Sequence, residues 1–216
     1  MKKLVMILLP IVALILLSCQ SADDSQTDLE PVGIDRKKAD EVLLRLASKK
    51  LITAFSAHLQ GELITAMVAK GPVGTITTCS ETAPLASDSF STSGFTIKRV
   101  TDKHRNTNNR ATLDEAAILA KFDSAGAEMA YFDQWQEIDS VTVFKYYQPI
   151  RIGRACLKCH GNLQTLAPGV MTALRKKYPT DKATGYAIGD LRGMFVVEAE
   201  WPVAESHAKA LVLDTL

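Results

Sequence analysis

The chain offers a partner almost no net charge: 25 lysines and arginines stand against 24 aspartates and glutamates, a formal balance of +1 at neutral pH. That balance leaves no electrostatic footprint for nucleic acid, which is excluded as an expected partner. Beyond its first residues the chain also lacks an uninterrupted apolar run, and it has no internal repeat and no composition shift that would mark a second domain. Cysteine and histidine are scarce, four of each. Each therefore has to be given a role.

The single long apolar stretch stands at the start. Lys2 and Lys3 precede an uncharged, leucine-rich segment from Leu4 to Leu17, the charged-then-apolar order of an export signal. Its fourteen residues are too few for a comfortable helical span of a bilayer. Leu16-Leu17-Ser18-Cys19 resembles the lipobox of bacterial lipoproteins, so residues 1–18 are expected to be removed and Cys19 to become the lipidated first residue. The alternative is an ordinary signal peptide. Several acyl chains on one terminus exceed the two signals that stable anchoring needs. Gln20, in place of aspartate after the cysteine, leans the sorting towards the outer membrane, with the protein facing the periplasm. Residues 19–33 carry Asp23, Asp24, Asp28 and Glu30 and read as a polar tether. Residues 34–216 are expected to form one domain with a helical N-terminal extension.

Cys156-Leu157-Lys158-Cys159-His160 is a C-x-x-C-H run. Two thiols at that spacing can add to the two vinyl groups of one haem, and the adjacent imidazole then lies where it can bind the iron. Export into a compartment where c-type haem is attached fits the same reading. A zinc site would want a fourth ligand at metal spacing, which is not evident nearby. A thioredoxin-like pair would open a helix after a strand. The expected cofactor is one covalent haem c, held through Cys156 and Cys159 with His160 as the proximal iron ligand. Cys79 is left over, and as a lone thiol it is an inert core residue, a reactive group or a metal ligand.

From Ile34 to Lys70 no proline appears, and Ile52, Phe55, Leu59, Leu63 and Met67 recur at steps of three and four, the signature of a long amphipathic helix or of two in sequence with a break near Gly61. Gly71-Pro72 ends it and opens a second helix to about Ala83. Phe95 to Val100 reads as a strand, and Thr112-x-x-Glu115 as a capping box opening a helix to about Gly126. Met129 to Glu137 and Val141 to Gln148 suggest a hairpin around Ile138-Asp139-Ser140. The haem run is placed in a loop, followed by a short helix near Val170 to Tyr178, a strand from Gly193 to Trp201 and a terminal helix from Val203 to Leu213. The expected class is α+β, with a long helix in front of an antiparallel sheet.

Several blocks occur in order: Gly71-Pro72-Val73 with Cys79-Ser80-Glu81-Thr82-Ala83-Pro84, Arg105-Asn106 with Asn109, Tyr147-Gln148-Pro149-Ile150, Cys156 to Gly161, Ala183-Thr184-Gly185-Tyr186 and Gly189-Asp190-Leu191-Arg192-Gly193. Together they resemble the PAS-like c-type haem domains once catalogued as a domain of unknown function, found alone or in front of bacterial signalling modules. The resemblance covers most of the chain from Lys70 to Trp201. It implies a covalent haem on a PAS-like sheet with histidine and cysteine as axial ligands, which maps His160 to the proximal and Cys79 to the distal position. Arg110-Ala111 departs from the pattern, where a proline is expected after Asn109.

The residues themselves leave Cys79 open. A helix from Pro72 puts Ile76, Cys79 and Ala83 on one face, so the thiol points into the core, where apolar surroundings keep it neutral; iron would deprotonate it. Met171, Met194, His58, His104 and His207 are the competing distal candidates and have no supporting spacing. Arg99, Arg105, Arg154 and Lys158 are candidate partners for the haem propionates, Arg99 and Arg105 foremost. Tyr146, Tyr147 and Trp135 are candidate haem-face residues with core as the default. Asp190 and Arg192 are expected to form a turn with a local ion pair.

A thiolate ligand stabilises ferric iron and fills the site where oxygen would be activated. The expected function is a membrane-tethered redox or diatomic-gas sensor, or a low-potential electron carrier, in which displacement of Cys79 frees its helix. No kinase, cyclase or HAMP segment follows Trp201, so a separate redox or signalling partner is expected, with the N-terminal helix as its surface or as a homodimer surface. The alternatives are a haem enzyme with an open distal site, peroxidase-like or acting on nitrogen oxides with His58 or His104 as the acid-base group, and a structural haem module in a larger electron-transfer assembly.

Overall fold

A computed structural model describes residues 36–213, which pack as one unit. The export signal, Cys19 and the tether lie outside the described residues. Helix α1 (Arg36–Phe90) leads into strand β1 (Phe95–Val100), helix α2 (Leu113–Ala125), the hairpin β2 (Phe132–Ile138) and β3 (Val141–Arg151), the one-turn helix α3 (Leu157–His160), helix α4 (Val170–Lys177), strand β4 (Leu191–Trp201) and helix α5 (Glu205–Leu213). The four strands form one antiparallel sheet in the order β1-β4-β3-β2. The α+β expectation holds.

The sheet is buried on both faces, and the alternation of each strand tells which residues serve which side. Phe95 and Ile97 of β1, Phe144 and Tyr146 of β3, and Val197 and Ala199 of β4 meet Leu44, Ala47, Leu51, Ile52 and Phe55 of α1, with Ala204 and Ala208 at the far end. The opposite face, with Val100, Tyr147, Met194 and Val196, is covered by Ile118, Leu119 and Phe122 of α2. Thr112 caps α2 through a complete capping box with Glu115, as the T-x-x-E spacing predicts.

The helix breaks at Gly71, where φ is 64° and ψ is −176°, and continues unbroken through Gly61. A single exposed glycine costs a helix only about 1 kcal/mol, whereas the Gly71 conformation ends the α ladder outright. The second arm runs past Ala83 and Pro84 to Phe90, because Ala86 and Phe90 are drawn into the main core. Its middle turns lean on α4 through Ile76, Val170 and Leu174.

The hairpin turns on Asp139-Ser140 alone, both with positive φ, as a two-residue turn between strands of native twist requires. Strand β3 continues past Gln148 through Pro149 to Arg151; β2 pairs only as far as Tyr147, so the proline falls where one edge has no neighbour. The C-x-x-C-H run is a turn of 3₁₀ helix, Arg154–Cys156, followed by α3, and not the expected loop. At the departure after Asn109, the Arg110 amide donates to the Thr107 carbonyl and the Ala111 amide to the Thr101 carbonyl. A proline at either position would lose that bond.

Candidate functional site

On the α1 face of the sheet, where Phe95 and Ile97 of β1 give way to Arg99, the packed core opens into a cavity of about 770 Å³. Both arms of α1 wall it, with Leu59, Leu63 and Met67 on the first and Ile76, Cys79 and Ala83 on the second. Ile150, Gly193 and Phe195 form its floor. A side chain on Gly193 would put its β-carbon 2.5 Å from the Val100 carbonyl oxygen, at a φ of +154°, so β4 comes this close to the end of β1 only with glycine there. The size falls in the range of small-molecule and cofactor sites.

Cys156, Cys159 and His160 enter this cavity from α3 and its preceding turn, and Cys79 enters from the second arm of α1. Residues three apart on a helical turn share a side, which places the Cys156 and Cys159 thiols next to each other with His160 following. All three described cysteines are free thiols. Burial, and then the neighbouring Cys159, push the Cys79 thiol above its ordinary value, with Arg99 and Arg105 working the other way. Burial likewise raises Cys159.

His160 is held for ligation. Its Nδ1 lies 2.7 Å from the Ala183 carbonyl oxygen, which can only accept, so the ring proton sits on Nδ1 and the Nε2 lone pair is left for a metal. Burial first, then Arg105 and Arg192, lower its pKa to about 3; the imidazole is neutral, as coordination requires. Tyr186 stands edge-on to the ring, with centroids 6.2 Å apart.

The arginines divide into two kinds. Arg105 lines the cavity but is engaged: its Nε donates to Asp181 Oδ2 at 3.0 Å and its Nη2 to the carbonyls of Cys159 at 2.6 Å and Ala183 at 3.1 Å. It organises the backbone of the C-x-x-C-H run. Arg99 lines the cavity with its Nε buried and without a hydrogen-bond partner. Arg192 also lines the cavity; one of its amino groups is held by Thr101 Oγ1 and the Lys103 carbonyl. Among the described residues no ion pair joins it to Asp190, whose carboxylate instead accepts the Ala187 amide and closes the turn. The sequence reading missed Arg192 as a cavity residue because its neighbouring aspartate offered an obvious partner.

The competing residues lie elsewhere. Met194 is buried under α2, His58 packs beside Phe90, and His207 beside Phe95. His104 is buried with its Nδ1 unpartnered but does not line the cavity, nor does Met171. Trp135 and Tyr146 belong to the main core and Tyr147 to the α2 side. Lys158 lines the cavity, whereas Arg154 does not. Tyr178, Asp181 and the Ala183 carbonyl, none of them singled out from the sequence as site residues, complete the surroundings of Cys79 and His160.

A haem fits this donor set: two thiols on one helical turn, a neutral imidazole with a free Nε2, a thiol from a separate arm, and a buried guanidinium lacking an anion. The Tll0287-like family matches residues 21–199. The crystal structure of the cyanobacterial haem protein Tll0287 aligns with a TM-score of 0.50 at 22% identity, covering 69% of this chain and 92% of that one. At that identity the likeness speaks for the fold. No curated protein matches the chain. With the family match running from the segment before α1 to the last residues of β4, the chain belongs to the Tll0287-like family.

Proposed function

We propose that this protein binds one haem covalently and serves as a redox or diatomic-gas sensor or a low-potential electron carrier. The observation that carries the reading is the convergence of Cys79, Cys156, Cys159 and His160, from two segments far apart in the chain, on one cavity. Cys156 and Cys159 would carry the thioether bonds, His160 Nε2 and Cys79 Sγ would be the iron ligands, and Arg99 with Arg192 would meet the propionates. Bound haem supplies one-electron redox chemistry. The chain's own residues supply a neutral imidazole, an apolar wall and a thiol that becomes a thiolate on coordination.

The similarity to a haem protein and membership of its family support haem binding. The sensor reading draws on the position of Cys79 on the second arm, in the turns after Ile76 that meet α4 through a small satellite cluster, ahead of the end of the arm that Ala86 and Phe90 hold in the main core. Those turns are the element a signal would move. The enzyme alternative is disfavoured by His58 and His104, neither of which lines the cavity. Export and lipid anchoring through Cys19 remain part of the proposal, with the protein facing the periplasm and a separate redox or signalling protein as partner.

The test is the optical and EPR spectrum of the matured protein and of Cys79→Ala. A low-spin ferric thiolate signature lost in the variant is expected. An identical spectrum in both would remove Cys79 from the iron, and a high-spin native haem would favour the enzyme reading.

A further inference from the structure

Three hydrogen bonds meet at Ala183, whose carbonyl holds His160, and a fourth joins two of the side chains that make them. The Ala183 oxygen accepts His160 Nδ1 at 2.7 Å and Arg105 Nη2 at 3.1 Å. The Ala183 amide donates to Asp181 Oδ1 at 2.8 Å, and the other oxygen of the same carboxylate takes Arg105 Nε at 3.0 Å. Arg105 also reaches the carbonyl of Cys159, next to the histidine. The strand of chain from Asp181 to Tyr186 is stitched to the C-x-x-C-H run at two further points, Gly185 to Gly161 and Tyr186 to His160. The Asp181 and Arg105 side chains are 11% and 12% exposed, so solvent screens this pair little.

Resting on the haem reading above, we propose that Asp181 is a positioning residue for His160, acting through Arg105 and the Ala183 carbonyl to set how strongly the imidazole donates electrons to the iron. The physical reason is competition for one acceptor. A guanidinium bonded to the Ala183 oxygen draws electron density from it and weakens its bond to the His160 ring N–H. A weaker bond leaves the imidazole a poorer donor. Asp181 opposes this by neutralising Arg105 and by fixing the Ala183 peptide through its amide. Its carboxylate thus strengthens the ligand, and with it the ferric state, without touching the cofactor.

The experiment compares the ferric/ferrous ratio at fixed solution potential, and the EPR g-values, of the haem-loaded native protein, Asp181→Asn, Arg105→Gln and the double variant. Asparagine keeps an oxygen for the Ala183 amide but leaves Arg105 uncompensated, so the ratio falls, by roughly tenfold, a shift of about 59 mV upward in a one-electron couple. Arg105→Gln frees the Ala183 oxygen for His160 and shifts the ratio the other way; the double variant returns towards native. A merely structural role would loosen the run in both single variants and move them in the same direction, and that result, or single variants within about twofold of native, would overturn the proposal. If Arg105→Gln fails to hold haem, Asp181→Asn alone decides by the sign of its shift. A native protein without histidine-ligated haem would instead defeat the haem reading itself, which the native EPR spectrum records separately.

Discussion

Arg99 and Arg192 share the wall of the cavity, and Arg192 helps burial to hold the Arg99 guanidinium below its ordinary value. Two like charges turned into one pocket, with the Arg99 Nε unpaired, are stable only when an anion sits between them. The haem-free chain is therefore expected to gain stability in Arg99→Met, by about 1 kcal/mol, because an uncompensated buried charge is removed. If Arg99 meets a propionate as proposed, the haem-loaded protein is expected to lose stability with the same substitution. Denaturant midpoints of the two forms measure both signs. Equal destabilisation of both would show that Arg99 supports the fold and not an anion.

Glu115 supplies a pH dependence away from the cavity. Burial alone would raise its carboxyl, but the Lys98 ammonium at 2.8 Å and the bonds with Thr112 outweigh burial and hold it below the usual carboxylate range. A depressed folded value means stability that is fully present above the unfolded value of about 4.3 and is lost as pH falls through the folded one. Glu115→Gln should accordingly be less stable than native at neutral pH, by about 1 kcal/mol given the half-exposed lysine. The difference should close in acid. A gap of the same size at pH 7 and pH 3, in chemical unfolding, would sink the linkage.

Much of this site was legible because its chemistry is written in residue types at fixed spacing. The C-x-x-C-H spacing singles out its own residues, and the steps Ile76, Cys79, Ala83 put the Cys79 thiol on an inward face of a helix that the structure places against the same cavity. Local signals of the fold were equally readable: the T-x-x-E box of α2 and the polar hairpin tip depend on neighbours only. What the sequence did not reveal depends on long-range geometry. Arg105 looks like an anion binder until Asp181 arrives from 76 residues away, and the His160 acceptor is a backbone carbonyl, which no side-chain pattern can announce. The proline after Gly71 marks that glycine as the end of a helix, whereas only the backbone conformation tells that Gly61 does not break it.

That last distinction yields a pair of opposite expectations. At both glycines the space a β-carbon would fill is open, with no atom within 4 Å, so substitution by alanine is sterically free and only backbone preference acts. Gly61 lies in a continuous helix, where alanine should stabilise by about 0.5–1 kcal/mol. Gly71, at φ 64° and ψ −176°, occupies a region almost closed to other residues, and alanine there should cost about 1–3 kcal/mol. The chain can relieve that cost by changing the angle between the two arms. The first arm is fixed to the sheet by Leu44, Leu51, Ile52 and Phe55 and the end of the second by Ala86 and Phe90, whereas the turns between Gly71 and Cys79 rest on the small cluster with α4, so those turns are the ones to move. Gly71→Ala should then keep covalent haem, since Cys156, Cys159 and His160 lie on α3 and its preceding turn, and lose the thiolate EPR signature that depends on Cys79. Retention of that signature at native strength, alongside the expected loss of stability, would mean that the elbow sets the stability of the arm but not the reach of its cysteine.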